Sequence, residues 1–219
     1  MIFAPAPFFR KRSPLCRALR RAGRPRSFVC VLFSCILGFG ANALAFNSVV
    51  IDAGHGGHDR GGIPGQQIAE KTLTLDVAQR LRTILREAGL RTVMTRNDDH
   101  FISLQKRVEI ANAQRNAIFV SVHFNSAKRH GADGLETYYY AKSGMNLASR
   151  IQARLVRVYA TENRGIKRAR FFVLRKTKIP AVLAECGFLT NGHEGALCLK
   201  AAHRQRLAEA LGRAILASR

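Results

Sequence analysis

Residues 48–53 read SVVIDA, residues 54–62 read GHGGHDRGG, and a helical register runs from Glu70 to Ala88 before a second apolar run, Leu90–Thr95. SVVIDA has the length and β-branched content of a short buried strand, and the glycines end it. In the next segment Leu73, Val77, Leu81, Ile84, Leu85 and Ala88 fall on one helical face, with Gly89 placed to stop the helix. Strand, loop, helix, strand in this order is the start of an α/β domain.

The same alternation continues outward. Ser103 is placed to cap a helix in which Leu104, Val108 and Ala111 share a face. Ala117–Phe124 (AIFVSVHF) and Gly134–Tyr140 (GLETYYY) read as strands, and Ser143–Ala160 as a helix ended by Asn163-Arg164-Gly165. Phe171–Leu174 and Ala181–Glu185 read as short strands, and His203–Ala217 as the last helix, with Leu207, Leu211 and Ile215 inward. The expected fold is a single α/β domain over residues 46–219, with a mostly parallel twisted sheet and helices on both faces. Ligands in such sheets gather at the C-terminal ends of the strands. That rule singles out Gly54–Gly62, Arg96–Asp99, His123–Asn125 and Glu185–Asn191, all polar.

Residues 1–45 read differently. They hold eight basic residues and no acidic one, then an apolar run from Phe28 to Phe39, then Ala43-Leu44-Ala45. This is the order of an export signal cleaved before Phe46, which implies a periplasmic or extracellular location. An uncleaved anchor is the alternative, but the run reaches the roughly 20 residues of a span only if Gly40–Phe46 are counted. Removing the leader takes away three of the five cysteines. Cys186 and Cys198 make no disulfide framework; an oxidising compartment would allow them to pair, but Cys186 sits in an apolar run as a packed thiol would.

Composition narrows the classes further. With 47% apolar and 23% charged residues the chain is neither disordered nor collagen-like. The net charge is +22, and from Phe46 onward 28 basic residues still face 14 acidic ones. Either an anionic envelope polymer or solubility accounts for that excess. The densest basic region is Lys167, Arg168, Arg170 and Arg175–Lys178. No recognition helix or aromatic platform for nucleic acid is evident. Nor does the glycine-rich loop run into Gly-Lys-Ser/Thr, as a phosphate loop would, and Ser121 lacks a nucleophile-elbow setting.

Two of the seven histidines, His55 and His123, directly follow buried strands, and Glu70 opens the first long helix. Two imidazoles and one carboxylate suit Zn²⁺ and leave a fourth position open. Glu185 ends another strand at the same edge and could move a proton. Their spacing matches no helix-borne zinc motif, so by spacing alone they remain readable as unrelated polar residues.

The motifs around them resemble a known family. Ile51-Asp52-Ala53-Gly54-His55-Gly56-Gly57 with Asp59, Thr95-Arg96, Arg107 with Ala111-Asn112, Ser121-Val122-His123 with Asn125, Asn163-Arg164-Gly165, and Pro180 to Glu185-Cys186-Gly187-Phe188 with Asn191 occur in order. Together they are similar to zinc-dependent N-acetylmuramoyl-L-alanine amidases of the amidase_3 type, over essentially all of residues 46–219. The resemblance implies a peptidoglycan hydrolase with His55, Glu70 and His123 holding Zn²⁺, Glu185 catalytic and Asn125 a substrate contact. No later segment is long and apolar enough to span a membrane, so no stable membrane insertion is expected after cleavage. Arg60 stands where the family often has proline, and His58 falls at a variable position. A non-catalytic wall-binding protein of the same fold is the rival reading, and a basic nucleic-acid-binding domain a more distant one.

Overall fold

The computed structural model describes residues 46–64, 66–129 and 131–219. The expected leader, residues 1–45, and His130 lie outside them. Six strands form one sheet in the order β2-β1-β3-β6-β4-β5, with β1 Ser48–Ala53, β2 Arg91–Met94, β3 Ala117–Asn125, β4 Leu135–Tyr139, β5 Asn163–Arg168 and β6 Ala181–Phe188. The strands β2, β1, β3 and β6 run parallel. β4 is antiparallel to β6, and β5 follows β4 in parallel. The link from β3 to β4 is too short for a crossover helix, so the chain returns in the opposite direction.

Strand periodicity splits the core in two. Val49, Ile51, Val120, Val122, Val182 and Ala184 face α1 (Glu70–Glu87), α3 (Met145–Leu155) and α6 (Ala201–Leu216) in the larger cluster. The alternate residues Val50, Phe119 and Leu183 face the thinner layer of α2 (Leu104–Asn112) and α4 (Phe172–Lys176). Helices thus cover both faces, as expected. By the same alternation Asp52, His123 and Glu185 project from the thinner side. A further short helix, α5 (Gly192–Cys198), connects β6 to α6.

Ser103 caps α2 as anticipated, its Oγ accepting from Lys106 N. Three local expectations need correction. Phe171–Leu174 belongs to the start of α4 rather than to a strand; four apolar residues carry no periodicity that separates the two. The helix over 143–160 stops at Leu155, and Asn163-Arg164-Gly165 begins β5 instead of ending a helix. Finally, α5 was not foreseen: it is seven residues long and held by a side-chain cap at Asn191. Among the described residues the two cysteines, Cys186 and Cys198, are buried and unpaired. Tyr138 and Tyr140 pack on the thinner layer while Tyr139 packs on the other. Among the described residues no helix is long and apolar enough to cross a membrane.

Candidate metal centre and active-site cleft

At the C-terminal ends of β1 and β3, His55, Glu70 and His123 each bring one donor atom into a group whose members all lie within 4.8 Å of one another. His55 follows β1 with φ at 60°, a left-handed backbone that a non-glycine residue adopts only under constraint. Two buried arginines supply it. Arg107 donates to Ala53 O and His55 O, both at 2.6 Å, and Arg96 donates to Ala53 O at 3.0 Å and Gly54 O at 2.8 Å. Arg107 is itself held by Asp52 at 2.6 Å, and Asp52 also accepts from Thr95 and Ser121. The loop is therefore cast onto the sheet by buried charge, not left to solvent.

Glu70 is buried at the first position of α1 and connects both imidazoles. Its Oε2 is 3.1 Å from His55 Nε2, and its Oε1 is 2.9 Å from His123 Nδ1. Phe124 N and Gly62 N also donate to it. Burial alone would raise the Glu70 carboxyl, but hydrogen bonds from His123 and His55 outweigh it and hold the pKa down to about 2. His55 Nδ1 sits 2.9 Å from Asp59 Oδ2, which leaves Nε2 turned to the cluster. Burial would lower the His55 pKa, whereas the Glu70 and Asp59 carboxylates raise it to a net increase. The imidazole rings meet edge to face with centroids 4.9 Å apart.

Glycines make room for this arrangement. A Cβ on Gly54 would meet His123 Cε1 at 2.3 Å, and one on Gly61 would meet Glu70 Oε2 at 2.5 Å. The donor set fits a borderline divalent cation: two nitrogens, one ionised carboxylate, and no fourth protein ligand in the group.

Across the sheet, Glu185 is the register partner of His123 on β3 and of Glu136 on β4. Its Oε2 is buried without a hydrogen-bond partner. Burial, with the Glu70 and Glu136 carboxylates close by, pushes the Glu185 carboxyl well above the usual range. Glu185 and the His55, Glu70 and His123 group floor a cleft of about 450 Å³ whose walls include Ile63, Phe101, Leu104, Phe171 and Phe172. Asn125 lines the same cleft, but its amide donates to Glu136 Oε1 at 2.6 Å and its Oδ1 accepts from Ser126 N. His58 is exposed against the Phe101 ring and stands apart from the group that could hold a metal, while Ser121 bonds Asp52.

Sequence reasoning thus nominated four residues that the fold gathers at one sheet edge. It assigned no part to Asp59 or Glu136. Asp59 was legible as a carboxylate four residues after His55. Glu136 was legible as an acid on the strand face shared with Tyr138.

Residues 49–217 match the family profile described as N-acetylmuramoyl-L-alanine amidase. The N-acetylmuramoyl-L-alanine amidase LytC of Bacillus subtilis is 36% identical over 174 residues, covering 78% of this chain but only 35% of LytC. Among solved structures, the catalytic domain of CwlV, N-acetylmuramoyl-L-alanine amidase of Bacillus (Paenibacillus) polymyxa, superposes with a TM-score of 0.75 at 34% identity, covering 80% of this chain and all of that one. The N-acetylmuramoyl-L-alanine amidase AmiC2 of Nostoc punctiforme superposes at 0.73 with 40% identity, covering 78% of this chain and 95% of its own.

Proposed function

This chain belongs to the N-acetylmuramoyl-L-alanine amidase family, and from that premise we propose that it is a zinc-dependent peptidoglycan hydrolase cutting the amide between N-acetylmuramic acid and L-alanine. The observation that carries the reading is the convergence of His55, Glu70 and His123 beside the unpartnered Glu185 carboxylate, on the floor of an open cleft. A Zn²⁺ ion held by those three residues would supply Lewis acidity to the scissile carbonyl and to the attacking water. Asp59 keeps His55 in the tautomer that presents Nε2. Glu185 takes a proton from the water and returns it to the departing alanine nitrogen. Its donor-free Oε2 and its raised pKa suit a group that must exchange a proton, not hold one ion pair. The apolar walls accept the uncharged part of the substrate.

Residues 1–45 serve as the export signal in this reading, because the substrate lies outside the cytoplasmic membrane. The test is incubation of the purified chain, lacking residues 1–45, with sacculi, with and without a chelator, followed by identification of the released ends. New alanine amino termini that vanish on chelation and return with Zn²⁺ are the expected result. Retention on sacculi without release of those ends would favour the wall-binding rival. Glu185→Gln separates ligand from catalyst: Zn²⁺ content should stay at the parental level while turnover falls by about 10²–10⁴-fold. Loss of Zn²⁺ along with turnover would make Glu185 a ligand instead.

A further inference from the structure

Glu136 is a buried carboxylate next to Glu185 in the sheet, and its hydrogen bonds are the reverse of its neighbour's. Oε1 of Glu136 accepts from Asn125 Nδ2 at 2.6 Å and from the Tyr138 hydroxyl at 2.8 Å. Oε2 accepts from Lys167 Nζ and, at 3.4 Å, from Arg164 Nε. Arg164 also pairs with Glu162, so the ammonium of Lys167 is the cation here whose one carboxylate partner is Glu136. Four donors thus close on one carboxylate, while the buried Oε2 of the adjacent carboxylate has none.

Such an asymmetry between adjacent acids requires a cause, since a buried carboxylate oxygen without a donor is costly. We propose that Glu136 is a positioning residue that gathers the donors arriving from β3, β4 and β5, above all Lys167, and so leaves the Glu185 carboxylate free for the reaction. The proposal rests on the catalytic part given to Glu185 above. In this proposal the loss of negative charge at position 136 releases Lys167 to turn toward Glu185, the register partner of Glu136 on the neighbouring strand. A charge-assisted bond from an ammonium is about twice as strong as a neutral one and would occupy the oxygen that has to exchange a proton.

Glu136→Gln keeps the volume and the Oε1 acceptor and removes the charge. In the Zn²⁺-loaded chain it should retain parental Zn²⁺ content, hold KM within about twofold, and lower kcat by about 10–100-fold, part of the ~10²–10⁴-fold that a positioned acid–base group contributes. Adding Lys167→Met removes the competing cation and should recover kcat by about fivefold or more, given the greater strength of the charged bond. Lys167→Met alone, a change on the exposed side of β5, should stay within about twofold of the parent, because Glu136 keeps three donors.

A parental kcat in Glu136→Gln overturns the proposal, as does a loss that Lys167→Met fails to relieve, which would make Glu136 a packing element only. A tenfold loss in Lys167→Met alone also overturns it, independently of how Glu136→Gln folds, by making the lysine a direct participant. These outcomes are read against an active parent. A Zn²⁺-loaded parent that cuts no muramoyl-peptide amide refutes the amidase reading itself, and this proposal with it.

Discussion

Asp59 and Gly54 show how far the candidate metal centre would depend on residues that hold no metal. Asp59 touches only the far nitrogen of His55, yet it selects the tautomer and ring orientation. Asp59→Ala should weaken Zn²⁺ affinity by about 10–100-fold without unfolding the chain, as measured by competition with a chelating dye. Unchanged affinity would reduce Asp59 to a loop contact. Gly54 has no side chain because the His123 ring occupies that space. Gly54→Ala should displace the ring and empty the site, and metal analysis of the purified variant reads this directly. Arg107 works on the backbone in the same way. Arg107→Met would leave the Asp52 carboxylate buried without its cation, at a cost of about 3–5 kcal/mol in denaturant melts.

Strands and helices contribute through their faces and ends. Alternation along β3 puts Val120 and Val122 into the large core and Ser121 and His123 toward the cleft. A one-residue slip would exchange the two sets, so the core itself enforces the register of the site. The long α1 presents Glu70 from its first turn because Leu73, Val77, Leu81 and Leu85 anchor the rest of it on the sheet. Beyond β6, Asn191 Oδ1 accepts from His193 N and Glu194 N to start α5, and Glu194 then accepts from Phe188 N at 2.7 Å. Asn191→Ala should cost about 1 kcal/mol of stability, the usual value of a lost cap, with Zn²⁺ content unchanged. A loss of metal in that variant would mean that α5 holds the Glu185 strand end more directly than the hydrogen bonds imply.

The whole molecule carries its stability on one side of the sheet and its chemistry at the edge of the other. The large core contains none of the three candidate metal ligands, so the metal-free chain should remain folded, with chelation lowering Tm only by the lost binding energy. Circular dichroism before and after chelation checks this; collapse to an unfolded spectrum would refute it. Acid sensitivity has a separate origin. His203 is buried with Nε2 unpartnered, and burial together with Arg206 and Arg204 lowers its pKa to about 4. The folded state therefore resists protonation that the unfolded chain accepts near pH 6.5. That contribution is complete above pH 6.5 and is lost as pH falls through about 4, on the order of 1–3 kcal/mol. His203→Phe keeps the edge contact with Tyr159 and should melt with less pH dependence between pH 4 and 6.5 than the parent. Equal slopes for the two would assign the acid lability to other groups.

From residues alone one could read the α/β class, the edge of the sheet that would carry the site, and four polar residues waiting there, because period and strand ends are local properties of the chain. Assigning three of those four to a metal and Glu185 to proton transfer needed the motif resemblance, since separations of 15, 53 and 62 positions define no local geometry. Only the folded chain decided which strands lie side by side. The reversed direction of β4 sets Glu136 against Glu185, the β4–β5 pairing brings Lys167 and Arg164 to the same carboxylate, and the buried arginines hold His55 in its left-handed turn. Strand order and register are agreements between distant segments, settled by how well two faces bury one another, and no single stretch of sequence contains them.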